Sequence, residues 1–257
     1  MIKLGICTSI DNAALMKEIG YDYIELGLSG IAEMDEAEYR ELLAKVKASP
    51  LPVEAANSMV PARFKLCSAE GTGEEISAYL DKAFARAEEL GIEMVVFGSG
   101  GARRMPDEMS ESEGYKLLSQ FLRLAARKAE RHFITIAVEP LRAEECNIIN
   151  FVTDAQRLAS MTMCLNVGAL ADLYHMMAGG DYYDDLENGI GIIHAHIAEE
   201  RFRGFPKLSD ACYQEYAEFF RTLKHIGYEG RVSIEGRADD FILDAREAYR
   251  TLDPLRK

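Results

Sequence analysis

Four short segments carry residues that can bind a divalent metal ion or move a proton. Each lies at or just beyond the end of an apolar run, and the key positions are Glu139, Asp172-Leu-Tyr-His175, His194-Ala-His196 and Glu235. A buried carboxylate is costly to desolvate unless a cation or a hydrogen-bond donor pairs with it. Because the pattern recurs at four successive points, we interpret it as one shared site.

The segment around Glu139 shows the pattern most clearly. The apolar run Ile134–Val138 is followed by Glu139 and then by Pro140, which lacks an N–H group and should end a strand. A second acid, Glu145, follows in the predicted loop. Taken alone, Glu139 is equally well explained by a buried ion pair, with Arg142 as its partner.

The other residues also have plain structural explanations when each is taken singly. Asp172 is suited to capping a helix, and Glu235 to pairing with Arg237 at a strand end. Period-two spacing puts His194 and His196 on one side of their strand, where either ring can be a core residue. Jointly, two Glu, one Asp and one His form a donor set for Mn²⁺ or Mg²⁺, and Zn²⁺ or Co²⁺ also fit.

A repeated strand–helix unit is the element that must position these residues. Three similar segments, each a charged helix end followed by a glycine and a buried strand, contain Gly20, Gly91 and Gly227. A glycine can adopt the left-handed conformation that ends a helix. Recurrence near the start, middle and end of the chain predicts a βα repeat.

Eight strands and eight helices alternate along the predicted repeat. The predicted strands are Ile2–Cys7, Tyr23–Leu28, Val53–Asn57, Met94–Gly98, Thr135–Glu139, Cys164–Leu170, Ile192–Ile197 and Val232–Glu235. The predicted helices are Asn12–Ile19, Glu36–Lys47, Glu75–Leu90, Glu111–Arg131, Thr153–Met161, Tyr182–Asn188, Cys212–His225 and Phe241–Leu252. This order predicts a single-domain α/β (β/α)8 TIM barrel over residues 1–257, with its active site at the C-terminal ends of the strands.

The amino-acid composition limits which classes of partner and which cellular compartment suit this chain. The 257 residues are 48% hydrophobic and carry a net charge of −14, which disfavours a nucleic-acid partner because phosphate binding needs clustered Lys and Arg. Five scattered cysteines without C-x-x-C spacing favour a reducing cytoplasm. We expect no membrane span, since no apolar run is long enough. A homo-oligomer is consistent with the chain, with Tyr182-Tyr183 and Phe219-Phe220 as candidate exposed interface residues.

The strand-end motifs resemble those of a known superfamily over essentially the whole chain. They are Glu139-Pro-Leu-x-x-x-Glu145-Cys-Asn, Asp172-Leu-Tyr-His175-Met, His194-Ala-His196-Ile-Ala-Glu-x-x-x-Arg203 and Ile234-Glu235. This set resembles the xylose isomerase-like TIM-barrel superfamily, in particular the sugar phosphate isomerase/epimerase group that includes the D-tagatose (D-psicose) 3-epimerases.

The resemblance implies a role for each matching residue. Glu139, Asp172, His196 and Glu235 would bind one divalent metal ion, and Glu139 and Glu235 would also act as the acid/base pair. Glu145, His175 and Arg203 would contact substrate oxygens. The implied function is metal-dependent isomerisation or epimerisation of a small-molecule sugar or sugar phosphate, through an enediolate whose charge a divalent ion stabilises.

Three other functions remain open on this scaffold. Inosose dehydratases share the metal set and eliminate water from a similar intermediate. DNA repair enzymes of the endonuclease-four type are also relatives, but they use several Zn²⁺ ions and more histidines than the five of this chain, and they need a basic groove. A barrel that binds a sugar without catalysis is the third alternative, which a missing ligand would favour.

Three local features leave their roles open. The chain reads Arg203-Gly-Phe-Pro where related proteins often have Arg-Pro-Gly-x-Gly, so either Arg201 or Arg203 can be the residue that contacts substrate. The loop Ser99–Arg104 is either a tight βα loop or an anion site built from backbone N–H groups. Glu25 is a candidate for the cleft, or for an ion pair facing a helix.

Overall fold

Eight parallel strands close into a barrel, as the sequence predicts. The computed structural model describes residues 1–187 and 191–257, and in it each strand pairs with its sequence neighbours while β1 pairs with β8. The strands are β1 Lys3–Cys7, β2 Tyr23–Gly27, β3 Val53–Asn57, β4 Met94–Phe97, β5 Thr135–Val138, β6 Val167–Asp172, β7 Ile192–Ile197 and β8 Arg231–Ile234. The prediction of a TIM barrel is confirmed.

Eleven α-helices surround or cover the barrel in the described part of the chain. They are α1 Ala13–Ile19, α2 Leu28–Glu33, α3 Glu36–Ala48, α4 Glu74–Glu89, α5 Gly100–Arg103, α6 Glu111–Glu130, α7 Val152–Thr162, α8 Leu173–Gly179, α9 Tyr183–Glu187, α10 Tyr213–His225 and α11 Phe241–Leu252. Three short helices that directly follow strands, namely α2, α5 and α8, were not predicted. None of the described helices is long and apolar enough to cross a membrane.

The predicted element boundaries are close except at the sixth strand. This strand was predicted at Cys164–Leu170 but runs from Val167 to Asp172. The preceding helix continues to Thr162, and Met163 takes a left-handed φ of 54°, so the chain is still turning at Cys164. Of the predicted helix Tyr182–Asn188, the structure shows Tyr183–Glu187, and Asn188 lies outside the described residues.

Two apolar clusters stabilise the fold. The larger one lies between the barrel and its helices, and the smaller one fills the inside of the barrel with Tyr23, Ala55, Met94, Val96, Ala137 and Leu170. Tyr23 lies so close to Gly5 that a Cβ at position 5 would overlap its ring. The glycine therefore lets a large ring cross the barrel, and the Tyr23 hydroxyl reaches Ser233 at 2.6 Å.

The aromatic pair Phe219-Phe220 belongs to the core, so its assignment as an exposed interface was wrong. Both rings are fully buried and lie in α10, whose amphipathic period turns this face towards the barrel. Tyr182 is largely exposed, whereas the hydroxyl of Tyr183 donates to Glu215 at 2.7 Å.

Replacing Phe219 with Ala is expected to lower the free energy of unfolding by about 3–5 kcal/mol, because the change leaves a cavity in a packed core. Urea denaturation of the two proteins measures the difference. Phe202, whose side chain is 72% exposed, provides the matched control, and Phe202→Ala should change stability little. Equal and small effects at both positions would mean that α10 is not packed against the barrel.

Candidate active site

Four of the predicted site residues converge at the C-terminal mouth of the barrel. One ligand atom each from Glu139, Asp172, His196 and Glu235 lies within 4.8 Å of the others. Glu139 and Glu235 directly follow β5 and β8, while Asp172 is the last residue of β6 and His196 the last but one of β7. Adjacent strands thus bring together residues nearly 100 positions apart in sequence, from 139 to 235. The structure thus assembles the whole set that the motifs indicated.

Asp172 offers one free oxygen to this cluster. Its Oδ1 atom accepts a hydrogen bond from the Tyr174 backbone N–H at 2.9 Å and so caps α8. Its Oδ2 atom is buried and, within the described part of the chain, has no hydrogen-bond partner. Burial raises the pKa of Asp172 to about 6. An orphaned, buried carboxylate oxygen calls for a partner, and a metal ion is one that this cluster can accommodate.

The two glutamates have different environments. Glu235 accepts hydrogen bonds from Asn57 Nδ2 at 2.7 Å and from Arg203 Nη2 at 2.6 Å. Burial opposes ionisation of Glu235, but the charges of His196 and Arg203 lower its pKa to about 2. By contrast, burial and the neighbouring Glu235 raise the pKa of Glu139. The surroundings of the two carboxylates therefore shift their pKa values in opposite directions, which is typical of acid/base pairs.

Gly98 makes room for the side chain of Glu139. A Cβ at position 98, just after β4, would overlap the Glu139 Oε2 atom. The Oε1 atom of the same carboxylate lies 3.2 Å from His196 Nδ1. The glutamate is therefore confined between the neighbouring strand end and the histidine ring, and the buried pair with Arg142 that we considered does not form, because Arg142 pairs with Glu145 at 2.8 Å.

Glu25 holds the two histidines of β7 from inside the barrel. Its Oε1 atom lies 3.0 Å from His196 Nε2, and its Oε2 atom lies 2.9 Å from His194 Nε2 and also accepts from the Ser233 hydroxyl. Glu25 therefore faces the barrel interior, and the alternative of an ion pair facing a helix is wrong. Because Nε2 of His196 is directed to Glu25, its Nδ1 atom faces Glu139 and Glu235, as in carboxylate–histidine–metal arrangements.

Replacing Glu25 with Gln is expected to weaken divalent-metal binding by about 10–100-fold. The Gln amide can donate to His196 Nε2, which would move the ring proton to Nδ1, the nitrogen that faces the cluster. Titration calorimetry with Mn²⁺ on the folded protein measures the change. Glu130→Gln, at an exposed position of α6, is the matched control, and equal affinities for the two variants would contradict this role for Glu25.

Metal affinity is expected to rise with pH. Burial raises the pKa of Asp172 to about 6, while the carboxylates of Glu25 and Glu235 outweigh burial and raise the pKa of His196. Protons therefore compete with the cation for these groups. Below its pKa, each group that must release a proton lowers the metal affinity by up to about tenfold per pH unit. Calorimetry between about pH 5.5 and 8, in two buffers of different ionisation enthalpy, measures affinity and proton release. An affinity that is flat over this range would contradict the proposed ligand set.

The three predicted substrate contacts also face the mouth. Arg203 Nη1 lies 3.6 Å from Glu145 Oε2, and its guanidinium stacks 4.9 Å from the centre of the Tyr174 ring. Arg201 is exposed and lies over the Phe202 ring instead, so the structure places Arg203, not Arg201, at the site. His175 Nδ1 accepts from the Arg142 backbone N–H at 3.2 Å, and burial lowers the pKa of His175. The neutral ring therefore carries its proton on Nε2, 3.6 Å from Asp172 Oδ2.

The loop Ser99–Arg104 has a structural role. Arg103 is fully buried, and its guanidinium donates to the backbone carbonyls of Phe97 at 3.0 Å and Ile149 at 3.4 Å. Arg104 donates to the carbonyl of Glu145 at 3.0 Å. Both arginine side chains therefore support neighbouring loops, and an anion site built from the backbone N–H groups of this loop stays a prediction.

Two residues of the site were not singled out in the sequence. Asn57, the last residue of β3, bonds Glu235, and Tyr174 stacks on the guanidinium of Arg203. The position of Asn57 at a strand end was a usable signal, but the packing of Tyr174 depends on how α8 turns after β6.

The four clustered residues fit a divalent cation. Ligands of one Mg²⁺ or Mn²⁺ ion lie at most about 4 Å apart, given bond lengths of about 2.0–2.1 Å for Mg²⁺, and the cluster needs little contraction to reach that separation. Three carboxylates and one imidazole suit a hard or borderline ion. The repulsion among the carboxylates, seen in the raised pKa of Glu139, is relieved by a bound cation.

Residues 13–255 match the model of the family described as xylose isomerase-like TIM barrel. The chain belongs to this family. The match spans nearly the whole barrel and includes every residue of the cluster. No curated protein matches the chain at a significant level.

Solved structures of similar proteins have the same fold over their full length. The 3-keto-D-glucoside 4-epimerase YcjR from E. coli is 21% identical, with a TM-score of 0.83 over 99% of this chain and 100% of that chain. D-Psicose 3-epimerase from Clostridium cellulolyticum H10, crystallised with D-tagatose, is 18% identical, with a TM-score of 0.81 over 100% of both chains. An AP endonuclease, family 2, from Brucella melitensis is 22% identical, with a TM-score of 0.78 over 100% of this chain and 99% of that chain. At these identities the likeness shows the fold.

Proposed function

We propose that the protein is a divalent-metal-dependent isomerase or epimerase of a ketose or related keto-sugar. The observation that carries this proposal is the convergence of Glu139, Asp172, His196 and Glu235 at one barrel mouth, with the pKa values of the two glutamates shifted in opposite directions. A bound divalent cation would be held by these four residues and would supply a Lewis acid that stabilises the negative charge of an enediolate.

The proposed proton transfer depends on the two glutamates. Glu235 is ionised and held by Asn57 and Arg203, so it can accept a proton from the carbon next to the sugar carbonyl. Glu139, whose pKa is raised by burial and by Glu235, can return a proton from the other side of that carbon. Removal on one face and return on the other inverts the carbon, which is epimerisation. Return to the adjacent carbon, together with transfer of the hydroxyl proton between the two enediolate oxygens, instead interconverts aldose and ketose.

The remaining polar residues would orient the sugar. Arg203 remains charged and presents N–H groups, and the neutral His175 presents its Nε2–H, so both can donate to substrate oxygens. Glu145 lies beside Arg203 and can accept a bond from a sugar hydroxyl. Together these residues would fix which carbon lies between Glu139 and Glu235.

The comparisons support a sugar substrate more than a nucleic acid. Several similar structures are of enzymes named as sugar epimerases, which act on a 3-keto-D-glucoside, D-psicose or L-ribulose by their names. One similar structure is named as an AP endonuclease, but the net charge of −14 disfavours binding to a phosphate backbone. We also propose a single-domain cytoplasmic protein, which the five free cysteines support. Light scattering would test whether it forms a homo-oligomer.

Proton exchange in D₂O tests the proposal whichever product forms. The Mn²⁺-loaded protein is incubated with a panel of free and phosphorylated ketoses, and NMR follows deuterium incorporation next to the carbonyl. Exchange with formation of an epimer or aldose supports the proposal. Exchange accompanied by loss of water would instead indicate a dehydratase, and cleavage of abasic-site DNA without any sugar exchange would indicate an endonuclease.

A further inference from the structure

A cleft of about 580 Å³ opens beside the candidate active site, between the chain after β1, helix α2 and helix α3. Sites for small-molecule ligands commonly measure about 300–1,000 Å³. At about 30 Å³ per water-sized group, the cleft holds about nineteen such groups, whereas a hexose has about twelve non-hydrogen atoms. A free hexose, part of which must lie over the four clustered residues, would leave much of this cleft unfilled.

The cleft is continuous with the four clustered residues through shared side chains. Asn57 lines the cleft and donates to Glu235 Oε1 at 2.7 Å, and Glu25 lines it and contacts His196. The proposed substrate contacts Glu145, His175 and Arg203 follow β5, β6 and β7, on the other side of the barrel mouth. Asn57 therefore connects the carboxylate of Glu235 with the cleft, so a substituent on a sugar that reacts at Glu235 can reach the cleft past Asn57.

One part of the cleft lining is apolar. Ile31 is buried in α2, and Met34 and Leu42 are partly buried beside it, with Ile10 and Leu26 completing the surface. Free sugars offer hydroxyl groups in most directions, and these would lose hydrogen bonds to water on such a surface. An apolar face of a substituent would instead be stabilised by burial there, at about 25 cal/mol per Å².

The charged residues at the rim disfavour an anion. Among the described residues that line the cleft, Asp11, Glu25, Glu38 and Glu41 are acidic and Lys45 is basic. The Lys45 ammonium is already paired with Asp11 at 3.1 Å and with Glu41 at 3.0 Å. A phosphate group would therefore meet excess negative charge here and would have no unpaired cation among these lining residues to bind.

We propose that the substrate is an uncharged keto-sugar bearing a substituent with an apolar face, such as an aryl glycoside, and that this substituent occupies the cleft. The inference rests on the proposed sugar epimerase or isomerase function and narrows its substrate class. It excludes sugar phosphates whose phosphate would enter the cleft.

Matched substrates test the inference directly. Methyl and phenyl glycosides of one ring-oxidised hexose, together with the 6-phosphate of the methyl compound, are compared by deuterium exchange with the Mn²⁺-loaded protein. We expect kcat/KM for the phenyl glycoside to exceed that for the methyl glycoside by about tenfold or more, because added apolar groups that fill an apolar pocket typically change kcat/KM by that factor. The phosphate should be the poorest of the three.

Gly30 offers a way to block the cleft. A Cβ at this position meets no atom within 4 Å, so Gly30→Leu adds a side chain to open space in the wall of the cleft. This variant should lower the ratio of phenyl to methyl kcat/KM by about tenfold. Ala44→Leu adds the same side chain at an exposed position of α3 outside the cleft, and its ratio should equal that of the parent protein. Thermal unfolding verifies that both variants are folded.

The outcomes separate the two proposals. If the methyl glycoside or a free ketose is turned over but the phenyl group gives no advantage, or if folded Gly30→Leu leaves the ratio unchanged, the cleft is not a substituent site and the proposed function stands. A preference for the phosphate overturns the inference in the same way. If no keto-sugar of the panel undergoes exchange, the proposed function fails, and the inference fails with it.

Discussion

Replacing Glu235 with Gln is expected to reduce sugar proton exchange by about 10²–10⁴-fold, the usual contribution of a general base. The Gln side chain has nearly the same shape, and its carbonyl oxygen can still accept from Asn57 or Arg203. It cannot take a proton from carbon at neutral pH. We therefore expect the variant to fold like the parent protein but to lose proton transfer.

Three measurements isolate this effect. Deuterium incorporation gives the exchange rate, circular dichroism gives the fold, and calorimetry gives the Mn²⁺ affinity, from which a saturating concentration for the variant is chosen. Glu229→Gln, at an exposed residue near the opposite end of β8, is the matched control and should behave as the parent protein. Exchange within about threefold of the parent, with metal bound, would remove Glu235 from the proposed acid/base pair.

Replacing Glu139 with Ala is expected to weaken divalent-metal binding by about 100-fold or more, because one of four ligands is lost and the remaining three cannot enclose the ion. The apo protein should remain folded. Glu139 interacts unfavourably with Glu235 in the absence of a cation, as its raised pKa indicates, so removing it relieves repulsion. Calorimetry with Mn²⁺ measures the affinity, and thermal unfolding with and without Mn²⁺ measures the stabilisation that binding provides.

Glu145→Ala is the appropriate comparison for this second variant. Glu145 lies near the mouth and pairs with Arg142, but its carboxylate is not among the four clustered ligand groups. Its removal should leave the metal affinity near that of the parent protein while raising the KM for the sugar. If both variants bound Mn²⁺ as tightly as the parent, the cluster would not be the metal site.

The barrel and the residues at its mouth were largely predictable because local signals agreed with one another. Apolar runs ending in Glu139 and Glu235, and the period-two spacing of His194 and His196, are properties of single strands. A closed parallel barrel then brings successive strand ends together without further information. Each glycine of the repeat, such as Gly20 with φ of 123° and Gly91 with φ of 82°, ends its helix as expected.

The remaining features depend on side-chain packing that no local pattern specifies. The sequence alone did not distinguish Arg201 from Arg203, because their positions follow from the turn in which Arg203 takes a φ of 52°. The hydrogen bond between Glu25 and His196 joins β2 to β7 across the barrel interior and connects residues that are 171 positions apart. Phe219 was misassigned for the same reason, since its burial depends on which face of α10 meets the barrel.

The metal content of the purified protein, measured together with EDTA sensitivity of ketose proton exchange, tests the central claim most directly. We predict one divalent ion per chain, Mn²⁺, Mg²⁺ or Co²⁺, and exchange that is lost in EDTA and restored by the ion. Several zinc ions per chain would favour the endonuclease interpretation. A protein that binds no divalent ion, with all four ligand residues intact, would contradict the assignment of this cluster as a metal centre.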